Sequence, residues 1–147
     1  MADTGFNWLT LTHFQVAAAD VDSTAVADTA VITCDAVDLD GYAACEVSVT
    51  VVEDNTGAVN GDAYVSILRS DLDPDSEGYQ VVPTTGPVYT DAVWSVAIDA
   101  VQNATRKVTF SISPAQVSKF KLHVLNDAGQ TLDVTANYKL ATIPAAS

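Results

Sequence analysis

Alternate acidic residues in segment 71–77 form the group in this sequence that most suggests chemistry. They supply carboxylate oxygens, the ligands that Ca²⁺ prefers in proteins. The segment departs from an EF-hand calcium loop, because Ser76 stands where the sharp turn needs Gly and Val82 stands where a bidentate Glu is needed. We therefore predict a solvated acidic loop, with calcium binding left open as the alternative. The four acidic residues are Asp71, Asp73, Asp75 and Glu77.

A second acidic group, Asp35, Asp38 and Asp40, precedes Gly41. Asp side chains accept hydrogen bonds from nearby backbone N–H groups, and Gly adopts the positive φ that many turns require. Turn formation therefore explains this group without a metal.

The two histidines, His13 and His123, fall in no metal or catalytic motif. His123 shares a predicted strand face with Lys119 and Lys121, which predicts a surface position. Neither a phosphate-binding loop nor a dinucleotide-binding glycine pattern is present in the sequence. We therefore predict no catalytic residue, no cofactor-binding residue, no metal ligand and no cofactor. The expected protein is one that binds and assembles, not an enzyme.

Around these residues, apolar and polar residues alternate along several short segments. Such a period of two predicts half-buried strands, and no segment has a helical period of useful length. We predict an all-β fold, an antiparallel β-sandwich or jelly-roll-like barrel of about eight strands with an extended N-terminal segment. Residues 1–28 are predicted to be an N-terminal arm, or a first strand plus linker, and residues 29–147 the β-sandwich domain.

Two hairpins are predicted from this alternation. The first joins 30–36 to 45–51 and places Cys34 opposite Cys45, so that both thiols face one core. A disulfide is geometrically conceivable there, but in a reducing compartment we expect two buried thiols. The second hairpin joins 120–124 to 132–140, and one helical turn is predicted at 114–118.

Aromatic residues fall into two groups. Trp94 alternates in register with Val96 and Ile98, which predicts a core position. Trp8, with its neighbours Phe6 and Leu9, lies outside that pattern and is predicted to be an apolar anchor for a neighbouring subunit. A sugar-stacking platform built from exposed aromatic residues is the alternative.

The formal net charge is −13, and it is uneven along the chain. Residues 1–105 hold 17 acidic residues and one basic residue, whereas residues 106–147 hold five basic and two acidic residues. A chain of this charge repels nucleic acid and anionic lipid, so we expect neither as a direct partner. The start of the sequence lacks a signal-peptide pattern, which predicts synthesis in a cytoplasm. Lys119, Lys121 and Lys139 are a candidate basic docking face.

The stretch from Phe110 to Thr142 runs strand, short Ser-Pro-Ala-Gln turn, then FKLHVLNDAG and LDVTANYKL. It resembles the C-terminal hairpin of small β-sandwich virion proteins of tailed bacteriophages, and capsid decoration (cement) proteins most of all. The resemblance implies a non-enzymatic virion subunit, assembled in the host cytoplasm, that clamps neighbouring subunits on the outside of the shell. Its partners would be the major capsid protein or other virion subunits, in a homo-oligomer or multi-copy assembly.

Two alternatives remain open at this point. Within the virion class, the chain could be a tail-tube, tail-adaptor or head-fibre subunit. In another class, it could be a carbohydrate- or receptor-binding β-sandwich module, with exposed aromatic residues and a calcium loop at 71–77.

Overall fold

The structure is a computed structural model that describes residues 5–53, 61–69, 93–97 and 104–144. These residues form strands joined by turns and loops, and all pairings between the strands are antiparallel, which confirms the predicted all-β fold. The described strands number thirteen, several of them only two or three residues long, where about eight were expected. They are β1 (Asn7–Trp8), β2 (Thr12–His13), β3 (Gln15–Val16), β4 (Ala19–Asp20), β5 (Thr24–Val26), β6 (Val31–Thr33), β7 (Val37–Asp38), β8 (Ala44–Glu53), β9 (Asp62–Arg69), β10 (Val93–Ala97), β11 (Thr105–Ile112), β12 (Lys119–Asn126) and β13 (Leu132–Thr142).

The front sheet has the order β1-β13-β8-β11, and β2 and β5 also pair with β13. Its central strand is β8, where every second residue is buried, from Cys45 to Glu53. Val47 lies opposite Phe110 on one side and opposite Tyr138 on the other, so the apolar residues of three strands share one face. Successive side chains of a strand point to opposite faces, and the period-two pattern of β8 therefore gives one core face and one outer face.

The back sheet has the order β10-β9-β12-β6, with β7 also paired to β12. Val65 on β9 and Val124 on β12 are register partners and are fully buried. They join the same hydrophobic core as Val47 and Val49 of the front sheet. The two sheets thus enclose one core between their inner faces, as in a β-sandwich.

The predicted C-terminal hairpin is wrong, because β12 and β13 belong to different sheets. The chain crosses between the sheets through residues 127–131. The side-chain amide of Asn126, fully buried at this corner, donates to the carbonyl oxygens of Val26 at 2.9 Å and Gln130 at 2.6 Å. The alternation along both strands is as expected. Alternation alone cannot distinguish neighbours in one sheet from strands that face each other across a core.

The predicted hairpin between 30–36 and 45–51 is wrong for the same reason. β6 pairs with β12 in the back sheet, whereas β8 is the centre of the front sheet. Cys34 and Cys45 are nevertheless both buried in the single core, as expected, and both are free thiols. At 114–118, where a helical turn was expected, Ser113 O accepts hydrogen bonds from the N–H groups of Gln116 and Val117, each at 3.0 Å.

The N-terminal segment follows the edge of the front sheet. β1, β2 and β5 pair in turn with β13. Phe14, Val21 and Val26 are buried in the core. The second part of the predicted arm or linker, residues 18–28, thus holds two short strands and two core residues. These strands are too short to show a regular period in the sequence. The division of the chain at residue 28 stays a prediction.

β3 and β4 form a small hairpin whose two turn residues, Ala17 and Ala18, have φ of 50° and 66°. Positive φ at both central positions is typical of the type I′ turn, which favours Asn and Gly over Ala. The Asp35 carboxylate accepts hydrogen bonds from both turn N–H groups, at 3.3 Å from Ala17 and 3.1 Å from Ala18. This carboxylate therefore supports a turn whose own residues disfavour it.

Candidate docking surface

The acidic residues highlighted by the sequence fall in two places. Segment 71–77 lies outside the described residues. In the group around Asp38, that carboxylate accepts the N–H of Asp40 at 2.9 Å, and Gly41 has a φ of 82°. These are the interactions of a turn. Across the described parts of the chain, no three His, Cys, Asp or Glu side chains group as metal ligands would.

The predicted surface position of His123 is wrong, because its side chain is 1% exposed. It lies on the outer face of the back sheet, where Ser66, its register partner on β9, is also buried. Leu68 and Leu125 on the same face are buried as well. This part of the back sheet is therefore covered on both faces, which an alternation of charged and apolar residues does not reveal.

The ring of His123 has one polar contact in the described structure, between Nδ1 and Thr33 Oγ1 at 3.1 Å. Its Nε2 is buried without a hydrogen-bond partner. Burial lowers the pKa of His123, since a buried imidazolium loses its hydration. His13 lies on β2 of the front sheet, opposite Asn137 on the face away from the core. The structure therefore does not bring the two histidines together.

Three other polar groups lie in apolar surroundings. Burial raises the pKa of the Cys34 and Cys45 thiols to about 12, with the neighbouring carboxylates Asp35 and Glu46 adding to the effect. Such thiols are poor nucleophiles, because the thiolate is the reactive form. Glu53, which the sequence did not single out, is 1% exposed, and neither carboxylate oxygen has a hydrogen-bond partner among the described residues.

Exposed apolar side chains mark a different part of the molecule, which we call the N-terminal aromatic surface. It comprises the large hydrophobic residues that the described structure leaves exposed, with exposed fractions from 39% to 75%. The first strand pairs with the end of β13, with Asn7 opposite Thr142, and this brings the N-terminal residues beside Ile143. The surface consists of Phe6, Trp8, Leu9, Leu11 and Ile143.

Trp8 is held in place on this surface although it is exposed. Its register partner Ala141 lies on the same outer face as Lys139 and Glu46. Lys139 Nζ lies 4.5 Å from the centroid of the Trp8 ring and 3.2 Å from Glu46 Oε2. The Phe6 ring meets Trp8 edge-on, with centroids 6.1 Å apart and an interplanar angle of 83°. These contacts limit the rotamers open to the indole.

The three lysines predicted to form one basic face are divided by the fold. Lys119 and Lys121 lie on β12 of the back sheet, whereas Lys139 lies on β13 of the front sheet. Lys139 is engaged with Glu46 and Trp8. Phe6, Trp8 and Leu9, the residues predicted to form an apolar anchor, are all exposed.

A groove of about 400 Å³ adjoins the N-terminal aromatic surface and shares Phe6 and Ile143 with it. Leu39, which is 1% exposed, lies at its base, and Tyr42 and Pro114 form part of its walls. Its size falls within the range of about 300–1,000 Å³ that is common for ligand pockets. The groove also has polar lining, at Asp40 and Ser118, so the surface and the groove together offer apolar side chains next to polar groups to another molecule.

Comparisons with known proteins find a weak structural similarity and no match in sequence. No family model and no curated protein matches this chain. Among solved structures it is similar to the PRD1 vertex protein P5, with a TM-score of 0.46 and 13% sequence identity over 82% of this chain and 87% of that chain. Within the described residues, no helix has the length and apolar character needed to span a membrane.

Proposed function

We propose that this protein is a non-enzymatic structural subunit of a phage particle, and specifically a decoration (cement) protein that binds the outer capsid surface and stabilises the shell. The observation that carries the proposal is the N-terminal aromatic surface, five large apolar side chains that are exposed, two of which, Phe6 and Ile143, also line a groove. Contiguous exposed apolar patches on soluble domains mark interaction sites. The partner in this proposal is the major capsid protein. It is taken from the sequence resemblance of 110–142 alone, since β12 and β13 lie in different sheets and form no hairpin.

Three physical properties suit the surface to docking. Trp is among the residues that contribute most to binding energy at protein interfaces. Trp8 is held by Lys139 and Phe6 before any partner arrives, so less side-chain entropy is lost on binding. A subunit present in many copies on one shell also gains from multivalency, so each contact can be modest.

The proposal is tested first by the protein content of purified particles. The chain should be present in a copy number comparable to that of the major capsid protein or its capsomers, measured by quantitative mass spectrometry. Absence of the chain, or only a few copies per particle, would contradict a decoration role, and a few copies confined to the tail or a vertex would favour the tail-tube, tail-adaptor or head-fibre alternatives.

The second test is rebinding to particles that lack the protein. Trp8→Ala should weaken binding by about 30-fold or more, the effect of losing an interface residue that contributes at least 2 kcal/mol. Thr109→Ala, a change at an exposed position of β11 in the same sheet, is the matched control and should bind as the wild type does. Equal binding of the two variants would show that the N-terminal aromatic surface is not the contact.

The carbohydrate-binding alternative has one observation in its favour, the exposure of Trp8. Sugar rings stack on a free aromatic face, and Lys139 occupies one face of this indole. A glycan array, run with calcium and with EDTA, separates the two functions. A glycan signal that Trp8→Ala abolishes would favour the binding module over the decoration protein.

A further inference from the structure

We infer that the groove beside the N-terminal aromatic surface binds an apolar side chain that adjoins a cation, such as a Leu next to a Lys or Arg on the partner. The inference deepens the proposed function and rests on it for the identity of the partner, the capsid subunit. The chemistry of the contact, an apolar side chain beside a cation, is inferred from the residues that line the groove.

The apolar part of the contact follows from the lining of the groove. Leu39 closes its base, and Ala43 and Pro114 add apolar wall. Phe6 and Ile143 stand at its opening, with 50% and 75% of their side chains exposed. An apolar side chain entering here would remove both its own surface and that of the two exposed residues from water, which is the main driving force for association.

The charge of the contact follows from the rim. Asp40 lines the groove and is exposed, and Asp38, two residues earlier, is exposed as well. The turn uses one Asp38 oxygen to accept the Asp40 N–H, and the structure describes no ion pair at either carboxylate. On the neighbouring outer face, Glu46 and Lys139 neutralise each other. Lys119 on β12 is the register partner of Asp38 and offsets its charge, which leaves Asp40 as the carboxylate that lines the groove. The rim therefore presents the negative charge of Asp40, and a cation beside the entering apolar group complements it.

A second copy of this chain is a poor occupant by the same criterion. Each copy carries a formal net charge of −13, so two copies repel each other at long range. A partner surface with Lys or Arg around an apolar side chain is attracted by the same field. The observations thus favour a different, cationic partner over self-association.

Three six-carbon probes test this chemistry on the full-length protein: hexylammonium, hexanoate and hexan-1-ol. Binding is followed by NMR shift changes at Phe6, Tyr42 and Ile143. Hexylammonium should bind in the groove in the millimolar range, and about 3- to 5-fold more tightly than hexanoate, the ratio given by one exposed ion pair. Hexan-1-ol should fall between them.

Asp40→Asn, which keeps a turn-forming side chain, should bring the affinities of hexylammonium and hexanoate close together. Asp22→Asn, a change at an exposed position away from the groove, is the matched control and should keep the preference for the cation. Equal binding of the charged probes to the wild type, an unchanged preference in Asp40→Asn, or shifts confined to other surfaces would each overturn the inference.

Failure of this inference is distinguishable from failure of the proposed function. If the chain decorates particles but shows no preference for hexylammonium, the capsid contact stands and its proposed chemistry is wrong. If hexylammonium binds as expected but the chain is absent from particles, the groove has the inferred chemistry and the decoration role is wrong.

Discussion

Lys139 Nζ lies 4.5 Å above the Trp8 ring and 3.2 Å from Glu46 Oε2, so a single ammonium group links the first strand to the centre of the front sheet. Replacing it by Lys139→Met should lower the free energy of unfolding by about 1 kcal/mol, the value of a cation–π contact at an exposed site. The indole N–H signal of Trp8 should also broaden or shift. Urea unfolding and NMR measure the two effects.

Lys107→Met is the matched control, because Lys107 lies exposed on β11 of the same sheet. It should leave both the unfolding free energy and the Trp8 signal as in the wild type. If the two variants behave alike, the contact above the ring contributes nothing to the position of Trp8.

The turn at Ala17 and Ala18 gives a prediction about backbone strain. Ala18 has a φ of 66°, a conformation that Gly adopts without steric cost. Ala18→Gly should therefore raise the free energy of unfolding by about 0.5–1 kcal/mol, after allowance for the greater freedom of Gly in the unfolded chain. Thermal or urea unfolding measures it.

Ala19→Gly provides the comparison, since Ala19 begins β4 and is not among the positive-φ residues. Gly within a strand is unfavourable, so this change should lower stability. A loss of stability in both variants would mean that Ala18 carries no relievable strain.

His123 gives a prediction about pH. Its pKa is lowered in the folded state by burial, so below about pH 6.5 the unfolded chain binds a proton that the folded protein does not. Stability is then fully present above that pH and falls as the pH decreases toward the folded-state pKa. The melting temperature should drop between pH 7.5 and 5.5, and His123→Gln should show a smaller drop.

Thr33→Val separates titration from packing. It removes the hydroxyl next to Nδ1 but keeps the imidazole, so its melting temperature should still depend on pH as the wild type does, around a lower value. If His123→Gln keeps the full pH dependence, the titration of another group is responsible.

The cysteines give a prediction about reactivity. With thiol pKa values of about 12 in place of 9.0, the thiolate fraction of Cys34 and Cys45 near pH 8 is lower by about 1,000-fold. Reaction with Ellman's reagent should be much slower in the native protein than in guanidinium chloride, because the thiolate is scarce and both thiols are buried. Ser111→Cys, at an exposed position of β11, should react within seconds and report that the reagent works. Rapid modification of native wild-type protein would contradict the buried positions.

Glu53 gives a prediction about the core. Its carboxylate is 1% exposed and neither oxygen has a hydrogen-bond partner in the part of the chain that the structure describes. Such a group destabilises the fold relative to an apolar side chain of similar length. Glu53→Met should raise the free energy of unfolding by about 1–3 kcal/mol. Glu46→Met, on the outer face of the same strand and next to Lys139, should lower it slightly. Urea unfolding of both variants measures these changes. If Glu53→Met is less stable than the wild type, the carboxylate stabilises the core and the prediction is wrong.

The longer strands could be predicted from the sequence, but the short N-terminal strands and the partners of the long ones could not. The alternation from Cys45 to Val51 identified β8 and its core face correctly. The same kind of pattern in 120–124 and 132–140 gave correct core residues but a wrong pairing, because both arrangements bury the same apolar faces. The position of His123 was predicted wrongly, because alternation along one strand does not show which part of an outer face is buried. The support of Ala17 and Ala18 by Asp35 joins two segments that no local pattern relates.

The pairing of Asn7 with Thr142 sets the order in which the fold can be completed. Strands from the beginning of the described chain lie against the last one, and β13 also provides one neighbour of the central strand β8. During synthesis, the second edge of β8 therefore stays unpaired until residues almost a hundred positions later have been made. Contacts between such distant residues slow folding and lengthen the time for which sheet edges are open to other chains. Pairing of β13 therefore completes the front sheet. Truncation before β13 would remove the strand that joins β8 to β1, β2 and β5.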